Sequence, residues 1–575
     1  MSIPSRLEQE TVPLTDNTYW DSFFSFLFSL KTFQPKSFPI SFKTVLDTHP
    51  VNITSIISHS LSHLTTFIND YIQEFPVQRT LALIRLLSSI FPLIHSSSNT
   101  DFIQSLLSEK EVYPSIASSL LSNLVSLCFV PGFTLPDLGI TDETPLSDLV
   151  WAGGVLNCTS HYVSAQVDQI RTEVIRLISI VVSDPLFQSN PSSSPFLSIL
   201  TSFSHKFSLP FFISLLNIVI SFKSPKLKLI FSDVKTPLFE ACLHLLLLIL
   251  DIFEPIEENQ SNITSSLPIY CRILNQIQSE EDQLLIISSL ISLIQYPVYC
   301  KAFSTTETTV DLALDQECLL LLTKLLFLHP TLLHVLCAVK PVQEYLVPLC
   351  QLALELCIED EIGISELPCL RGSVGSLKLP DVSLIEGTFG DLFLTVCHRI
   401  VSKALIKHSH VAKALLTAVV NCSPYFRFIS NATIIKYLEF FKKLASPKFL
   451  IGHDFSFEIV TLLIEFFAFV IQYQYHTNEH VVYGLLQYED SFYSLIKLKE
   501  IKPEDSKNSV DLAKLNLLID NSFFQTILRL LESLGSEIKH ITKADENTPS
   551  PVILRQFINN FIPTGLFTKT TTNYD

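Results

Sequence analysis

The sequence predicts an all-α fold, an α-solenoid of stacked helical hairpins with degenerate HEAT- or armadillo-like repeats. Three observations predict it: apolar residues recur at helical spacing, 31 prolines divide the apolar runs into helix-sized pieces, and only 13 glycines occur in 575 residues. An apolar stripe at helical period buries one face of a helix. Proline lacks an N–H and clashes with the preceding turn, so it tends to start or stop a helix. Alternating polar/apolar runs, the mark of a half-buried strand, are few. The hydrophobic fraction of 47% can supply a continuous core, so disorder is excluded for most of the chain.

The elements follow in order. The opening MSIPSRLEQE is polar, and the apolar stretch Ser22–Leu30 comes late and short, so no secretory leader is predicted and the chain is expected to stay in the cytosol. With 17% charged residues and a mean hydropathy of +0.37 the membrane question arises early. The longest uncharged run, Val112–Pro136, is broken by serines, Asn123, Pro131 and Pro136, and so forms two short elements instead of a span of about 20 apolar residues. Gln283–Cys300 holds Ser288, Ser289, Ser292, Gln295 and Pro297 and is expected to be a buried helix ending in a turn. Further on, Asp315–Cys357 reads as short helices stopped at Pro330 and Pro341. In Asn431–Leu444, Asn431 is expected to cap, Ile434, Leu438, Phe441 and Ala445 form one stripe, and Lys436, Glu439, Lys442 and Lys443 lie off it. Phe455–Tyr473 is apolar nearly all round, with only Glu458 and Glu465 charged, and should be sandwiched between neighbours.

Irregular segments are expected at Pro131–Asp148, Glu254–Ser266, Ser304–Val310, Glu359–Ile385 and Lys502–Asn521. The predicted organisation is a polar N-terminal tail over 1–18, a solenoid over 19–501, a charged linker over 502–521, closing helices over 522–567 and a disordered tail over 568–575. The closing helices are expected at Ser522–Gly535 and Pro551–Phe561.

Charge and cysteine usage narrow the function classes. A formal net charge of −17 repels phosphate backbones and disfavours adhesion to anionic lipid, so nucleic acid is excluded as a partner class. The 12 cysteines stand singly with no Cys-x-x-Cys pair, as befits buried thiols in a reducing compartment, where sequons such as Asn52-Ile53-Thr54 carry no meaning.

The search for chemistry finds no Gly-Lys-Ser/Thr phosphate loop and no Gly-x-Ser-x-Gly elbow. Gly387-Thr388-Phe389-Gly390-Asp391 is read as a turn with Thr388 or Asp391 at the cap of the next helix. Two histidine pairs four residues apart, His59/His63 and His476/His480, lack an evident third metal ligand, and Lys407-His408-Ser409-His410 is read as a solvated face. No cofactor, metal or small-molecule substrate is expected, and no catalytic activity. Trp20 and Trp151 are read as buried aromatics between helices rather than a partner surface. Asp233, Glu281 and Asp282 are read as helix caps and first-turn charges rather than partner contacts.

The order of several blocks along the chain resembles the high-temperature-induced dauer-former family, relatives of dymeclin. These blocks are DNTYWDSFF at Asp16–Phe24, LCFVPGFT at Leu127–Thr134, LVWAGGV at Leu149–Val155 and RTEVIRLI at Arg171–Ile178. LPFFISLLNIV at Leu209–Val219, LIFSDVKTPLFE at Leu229–Glu240 and the block at Ile277–Pro297 follow. Glu386–Val401, Thr417–Phe426 and Ile471–Leu486 complete the set, which covers most of Tyr19–Phe567. The residues that carry it are Trp20, Pro131, Phe133, Trp151, Gly153, Asp233, Pro237, Glu281, Asp282, Gly387, Asp391, Asn421, Pro424 and Tyr473, with structural roles expected for all.

The resemblance implies a non-catalytic cytosolic protein, peripherally associated with Golgi membranes, that supports sorting and vesicle-mediated transport of secretory cargo through proteins of the secretory machinery. Many relatives begin Met-Gly and look N-myristoylated, whereas Ser2 stands here and lacks the required glycine. Their long polar insertion is reduced to roughly Lys502–Asn521, and an aromatic-rich closing segment is missing after Phe567. An importin-like helical carrier and an integral membrane protein using Gln283–Cys300 or Leu209–Phe222 are the rival readings.

Overall fold

The computed structural model describes residues 3–30, 33–34, 38–69, 74–97, 100–108, 114–136, 144–158, 164–187, 194–202, 205–222, 235–251, 267–303, 314–339, 349–350, 387–453, 455–498 and 512–544. Among them the regular structure is helical, with one isolated bridge between Pro131 and Leu135 and no strand. The chain divides into two compact units, Met1–Pro341 and Val342–Asp575, where one continuous array over 19–501 was expected. Single cores stop growing at about 250–300 residues, because added helices find no further common interior to bury.

In the first unit, α1 to α6 are Asn17–Ser29, Phe42–Thr48, Pro50–Asn69, Val77–Ser96, Thr100–Leu107 and Ile116–Leu127. The short α7 is Leu146–Leu149, and α8 to α11 are Ala165–Val181, Pro195–Ser202, Ser208–Ile220 and Lys235–Ile249. They are followed by α12 Ile269–Leu274, α13 Glu280–Phe303, α14 Asp315–Leu328 and α15 Pro330–Val339. α8 is the hub, packing on α4 and on α11, which in turn packs on α10 and α14. Its apolar residues Ile170, Val174, Ile175, Leu177, Ile178 and Val181 are buried.

The expected polar tail is instead anchored. Ile3–Glu8 forms a 3-10 turn with Leu7 buried, and Val12 is buried behind it. Asn52, wholly buried on α3, holds the segment through Nδ2 donated to Leu7 O (3.0 Å) and Glu10 O (2.9 Å), while its Oδ1 accepts from Val12 N (2.8 Å). An amide used at three points beneath a covering segment is no glycosylation acceptor in the folded chain. Trp20 seals the other end, its Nε1 donating to Pro13 O (3.0 Å) and its ring stacked on His59 at 5.1 Å.

The second unit contains α16 Phe389–Ala404, α17 Ser409–Cys422, α18 Asn431–Leu444, α19 Pro447–Gly452 and α20 Ser456–Gln474. The remainder is α21 Glu479–Gln487, α22 Glu489–Lys497, α23 Leu512–Ile519 and α24 Ser522–Ala544. The expected stripe on α18 is buried, Ile434, Leu438, Phe441 and Ala445 included, but the cap is Ser430, one residue before Asn431, its hydroxyl accepting from Thr433 N. α20 is enclosed as its all-round apolarity requires, with α17, α18 and α24 against it.

Three further expectations change. Leu512–Ile519 of the expected linker is a helix, with Leu515, Leu518 and Ile519 turned into the core, because its leucines outweigh the charges around them. α13 runs through Pro297 to Phe303, since losing one hydrogen bond does not end a helix whose earlier turns bury Ile286, Ile287, Leu290 and Ile294. Among the described residues the single helices long and apolar enough to cross a bilayer are Val77–Ser96 and Ser456–Thr477, the bent pair Gln316–Leu328 and Pro330–Ala338 passes the same requirement together, and Gln283–Cys300 and Leu209–Phe222 are not among them. Neither is an uncharged run, since Arg79 and Arg85 lie in one and Glu458 and Glu465 in the other. The second expected closing helix, Pro551–Phe561, and the irregular segments at Glu254–Ser266, Ser304–Val310 and Glu359–Ile385 lie outside the described residues.

Candidate functional site

The most heavily built place in the first unit is a junction of two loops over α8, α10 and α13. Arg171 lies on α8 with 1% of its surface exposed. Its Nε donates to Thr134 O (2.8 Å), its Nη1 to Asp168 Oδ1 (3.1 Å), and its guanidinium sits 4.9 Å over the Trp151 ring. Burial pushes the guanidinium down and the Asp168 carboxyl up, each opposed by the attraction of the other. Removing either alone therefore leaves an uncompensated buried charge.

The first loop, Val130–Leu135, is a closed turn around Thr134, whose Oγ1 donates to Leu127 O (2.6 Å) and accepts from Val130 N (3.2 Å). Gly132 takes φ +70, the left-handed region open to glycine without cost. Phe133 is wholly buried against Phe75, with ring centroids 4.8 Å apart. The second loop begins at Trp151, whose Nε1 donates to Cys128 O (3.0 Å) and whose backbone N–H donates to Ser214 Oγ (3.3 Å).

Asn217 of α10 grips that second loop from below. Its Nδ2 donates to Ala152 O (3.0 Å) and its Oδ1 accepts from Val155 N (3.0 Å). A Cβ at position 154 would run into Asn217 Oδ1, so Gly154 is there for close approach. Leu156 and Asn157 follow in left-handed conformation, φ 60 and 54, and Asp282 Oδ2 accepts from Leu156 N (3.1 Å). Asp282 thus sits in the acidic first turn of α13 as expected, and also reaches inward to hold the strained turn. Two left-handed non-glycine residues cost on the order of 1–3 kcal/mol each and persist because this network over-determines them.

The second unit has a counterpart. Thr388 caps α16 in a capping box with Asp391, as the sequence suggested. Asp391, wholly buried, accepts from Thr388 N (2.9 Å) and Thr388 Oγ1 (3.0 Å) on Oδ2, and from Ser430 N (2.8 Å) on Oδ1. Asn478 accepts from Ile429 N (2.9 Å) and donates to Phe426 O (2.7 Å), while Gln474 Nε2 donates to Pro424 O (2.8 Å). The segment between α17 and α18 is thereby pinned, with Phe428 left-handed at φ 57.

The residues carrying the resemblance do not converge on one place. Trp151, Phe133, Pro131, Gly153 and Asp282 gather at the first junction, and Gly387, Asp391 and Pro424 at the second. Trp20 seals the N-terminal segment. Pro237 is in the first turn of α11, Glu281 and Asn421 are exposed, Tyr473 packs half-buried on Phe469 at 6.0 Å, and Asp233 lies outside the described residues. Arg171, Asn217, Thr134, Asn52 and Asn478 were not singled out. The signal was available for Asn217, the lone amide in the apolar run Ser208–Ile220, and for Arg171, whose neighbours at helical spacing are apolar.

The histidine pairs are placed individually. His63 packs on Phe24 and Phe28, while His59 faces Leu14 O (3.2 Å). His476 is exposed beside Tyr475. Among the described residues no three His, Cys, Asp or Glu side chains gather as a metal-holding group. Of the nine described cysteines seven are buried, and burial pushes up the thiols of Cys128, Cys158, Cys242, Cys271, Cys350 and Cys397, to about 11 for Cys271 and about 12 for Cys397, so these pack as neutral hydrophobes.

In the second unit a half-buried histidine makes stability depend on pH. His398 on α16 lies between Tyr437 (5.5 Å) and Phe440 (5.4 Å), and desolvation together with the Lys436 charge lowers it to about 4. The unfolded chain binds this proton below pH 6.5 and the folded chain only below about 4, so stability rises with pH through that window and is flat on either side. The unfolding free energy of the second unit, measured by urea titration, should fall as pH drops from 6.5 to 4, by about 2 kcal/mol from this ring after allowing for its partial exposure. His398→Gln should remove that slope, and a variant with the parental slope would discharge His398 from the role.

These features define a class: an all-helical protein whose buried polar side chains lock the loops between helices and fix the surfaces those helices present. The chain belongs to the high-temperature-induced dauer-formation protein family, whose model matches residues 5–361 and 376–514. It is 24% identical to Protein HID1 of Mus musculus over 568 residues, covering 87% of this chain and 70% of the relative. Protein HID1 of Homo sapiens is 25% identical over 68% of this chain, and the Ubp5-interacting protein ftp105 of Schizosaccharomyces pombe 20% identical over 67%. The chain spans 55% of the human relative's length and 45% of the fission-yeast one. No solved structure matches it.

Proposed function

We propose that this chain is a non-catalytic scaffold or adaptor at the cytosolic face of the Golgi, peripherally attached, where it supports sorting and vesicle-mediated transport of secretory cargo. The observation that carries the reading is the family match over most of the chain. Two features are consistent with it. Helices next to each other in sequence also pack together, α10 on α11, α13 on α14, α14 on α15 and α16 on α17, as the hairpins of a solenoid would. The two polar junctions hold those surfaces rigid, so a partner meets a preformed face and pays little ordering entropy. The fission-yeast relative is named for an interaction with another protein, and it is this binding role that we carry over.

A fluorescently tagged chain should coincide with a Golgi marker in intact cells, and proximity labelling from it should recover secretory-pathway proteins. Diffuse signal beside an intact marker would end this reading, and a nuclear-envelope ring would favour an importin-like carrier. The integral-membrane alternative draws on Val77–Ser96 and Ser456–Thr477. In the first, Arg85 is bound by Glu173 of α8 through Nε–Oε2 (2.8 Å), and the second is enclosed by other helices, so both apolar lengths are already spent on packing. Alkaline carbonate should release the chain to the supernatant. A chain that stays in the pellet would make it a spanning protein.

A further inference from the structure

The hairpin α14–α15 presents an outer face that differs from an ordinary solvated one. Its inner residues Cys318, Leu321, Leu322, Leu325, Leu332, Val335 and Leu336 are buried. Its exposed positions on α14 are Gln316, Leu320, Thr323 and Phe327, at helical spacing, and on α15 Pro330, Thr331, Leu333, His334, Cys337 and Ala338. None of these is Asp, Glu, Lys or Arg. Phe327 is 78% exposed at the tip and Leu333 50% exposed just past it. Helices in water normally turn charge outward, and here the two charged side chains within Gln316–Ala338 are withdrawn: Lys324 is half-buried and pairs with Asp251, and Glu317 Oε2 is buried.

Geometry and composition name the occupant. The two helices bend by 106° at His329 and together pass the length and hydropathy requirements of a membrane segment, as a broken or re-entrant element. The corner is fixed from inside: His329 Nε2 faces Ile277 O (3.1 Å), His329 Nδ1 faces Thr331 Oγ1 (2.8 Å), and Gln283 Nε2 donates to Thr331 Oγ1 (3.1 Å) and Ile277 O (2.9 Å). A rigid, sharply bent, uncharged corner tipped by an exposed phenylalanine suits the boundary between lipid headgroups and acyl chains, where an apolar face enters while the flanking helices remain on protein. With no Lys or Arg among the described exposed residues of the face and a net charge of −17 on the chain, attraction to anionic lipid is not what holds it.

We propose that the α14–α15 corner is a shallow membrane-insertion element, led by Phe327 and Leu333, that docks the chain on a neutral bilayer by apolar burial. The inference deepens the peripheral attachment proposed above and rests on that reading.

The test is flotation of the purified full chain with small sonicated vesicles of unsaturated phosphatidylcholine, with and without phosphatidylserine. The parent should float with phosphatidylcholine alone and gain nothing from phosphatidylserine. Phe327→Glu and Leu333→Glu should each lower the bound-to-free ratio about tenfold, while Leu186→Glu, which charges a still more exposed leucine elsewhere in the same unit, should leave it unchanged. Both hairpin side chains are at least half exposed, so the variants keep the parental circular dichroism and melting midpoint. A parent that does not float, floats only with phosphatidylserine, or floats equally well with Phe327→Glu overturns the proposal. So does a parent that stays off vesicles but sediments as a dimer that Phe327→Glu dissociates, which would assign the face to a second copy. Flotation uses no cell: Golgi staining without flotation refutes the insertion element alone, and flotation without Golgi staining refutes the Golgi assignment alone.

Discussion

Arg171→Ala is expected to destabilise the first unit by about 3–5 kcal/mol, the cost of breaking a buried ion pair from one side. The guanidinium is the shared partner of Asp168, the Thr134 carbonyl and the Trp151 ring, all within the core. Its loss strands a carboxylate that burial already disfavours and removes the donor that closes the Val130–Leu135 turn. The two units need not unfold together, so a whole-chain signal would mix them. Both tryptophans, Trp20 and Trp151, belong to the first unit, and tryptophan fluorescence against urea reports it alone. Asp168→Asn with Arg171→Met should recover part of the loss, because the stranded charge is gone, but not all of it, because Thr134 O still lacks its donor. An Arg171→Ala chain within about 1 kcal/mol of the parent would show that water replaces the guanidinium and that the junction is less dry than its burial indicates.

Asp391→Ala is expected to cost the second unit about 3 kcal/mol, combining a lost capping interaction of about 1 kcal/mol with two part-buried N–H groups that lose their acceptor. Thr388 N and Ser430 N both donate to this carboxylate, so one substitution frays the start of α16 and releases the segment that leads into α18. Amide hydrogen exchange should speed up at Thr388 and Ser430 and through the first turns of both helices, while the tryptophan-reported transition of the first unit stays in place. Asp391→Asn should retain part of the stability, since its amide oxygen can still accept one of the two N–H groups. Unchanged exchange at Ser430 would mean that the contact between the helices does not depend on Asp391.

Both sites show how the fold was legible and where it was not. The Thr388/Asp391 cap was readable because its partners lie three residues apart, within one turn. The enclosure of α20 and the stripe on α18 were readable because periodicity states which sides of a helix must be covered. Arg171 meeting Thr134, Asn217 meeting Gly154, and Asp282 meeting Leu156 across 126 residues were not readable, because the fold alone brings these partners together. The N-terminal segment misled for the same reason: its polar letters suggested a tail, while Asn52 waited on α3 to bind its backbone.

By itself, the sequence determined that this protein is helical and, over Asn431–Leu444 and Phe455–Tyr473, which sides of a helix must be covered, because propensity, proline sterics and the 3.6-residue period act over neighbouring residues. Family membership was legible in the ordered blocks for a related reason: loops and turns leave local letters such as Pro131, Gly132 and Trp151. Only the tertiary structure decided the division into two units, the anchoring of the first residues, and the uncharged outer face of the α14–α15 corner. Those depend on which surfaces meet, and burial is a property of pairs of distant segments that no single window contains.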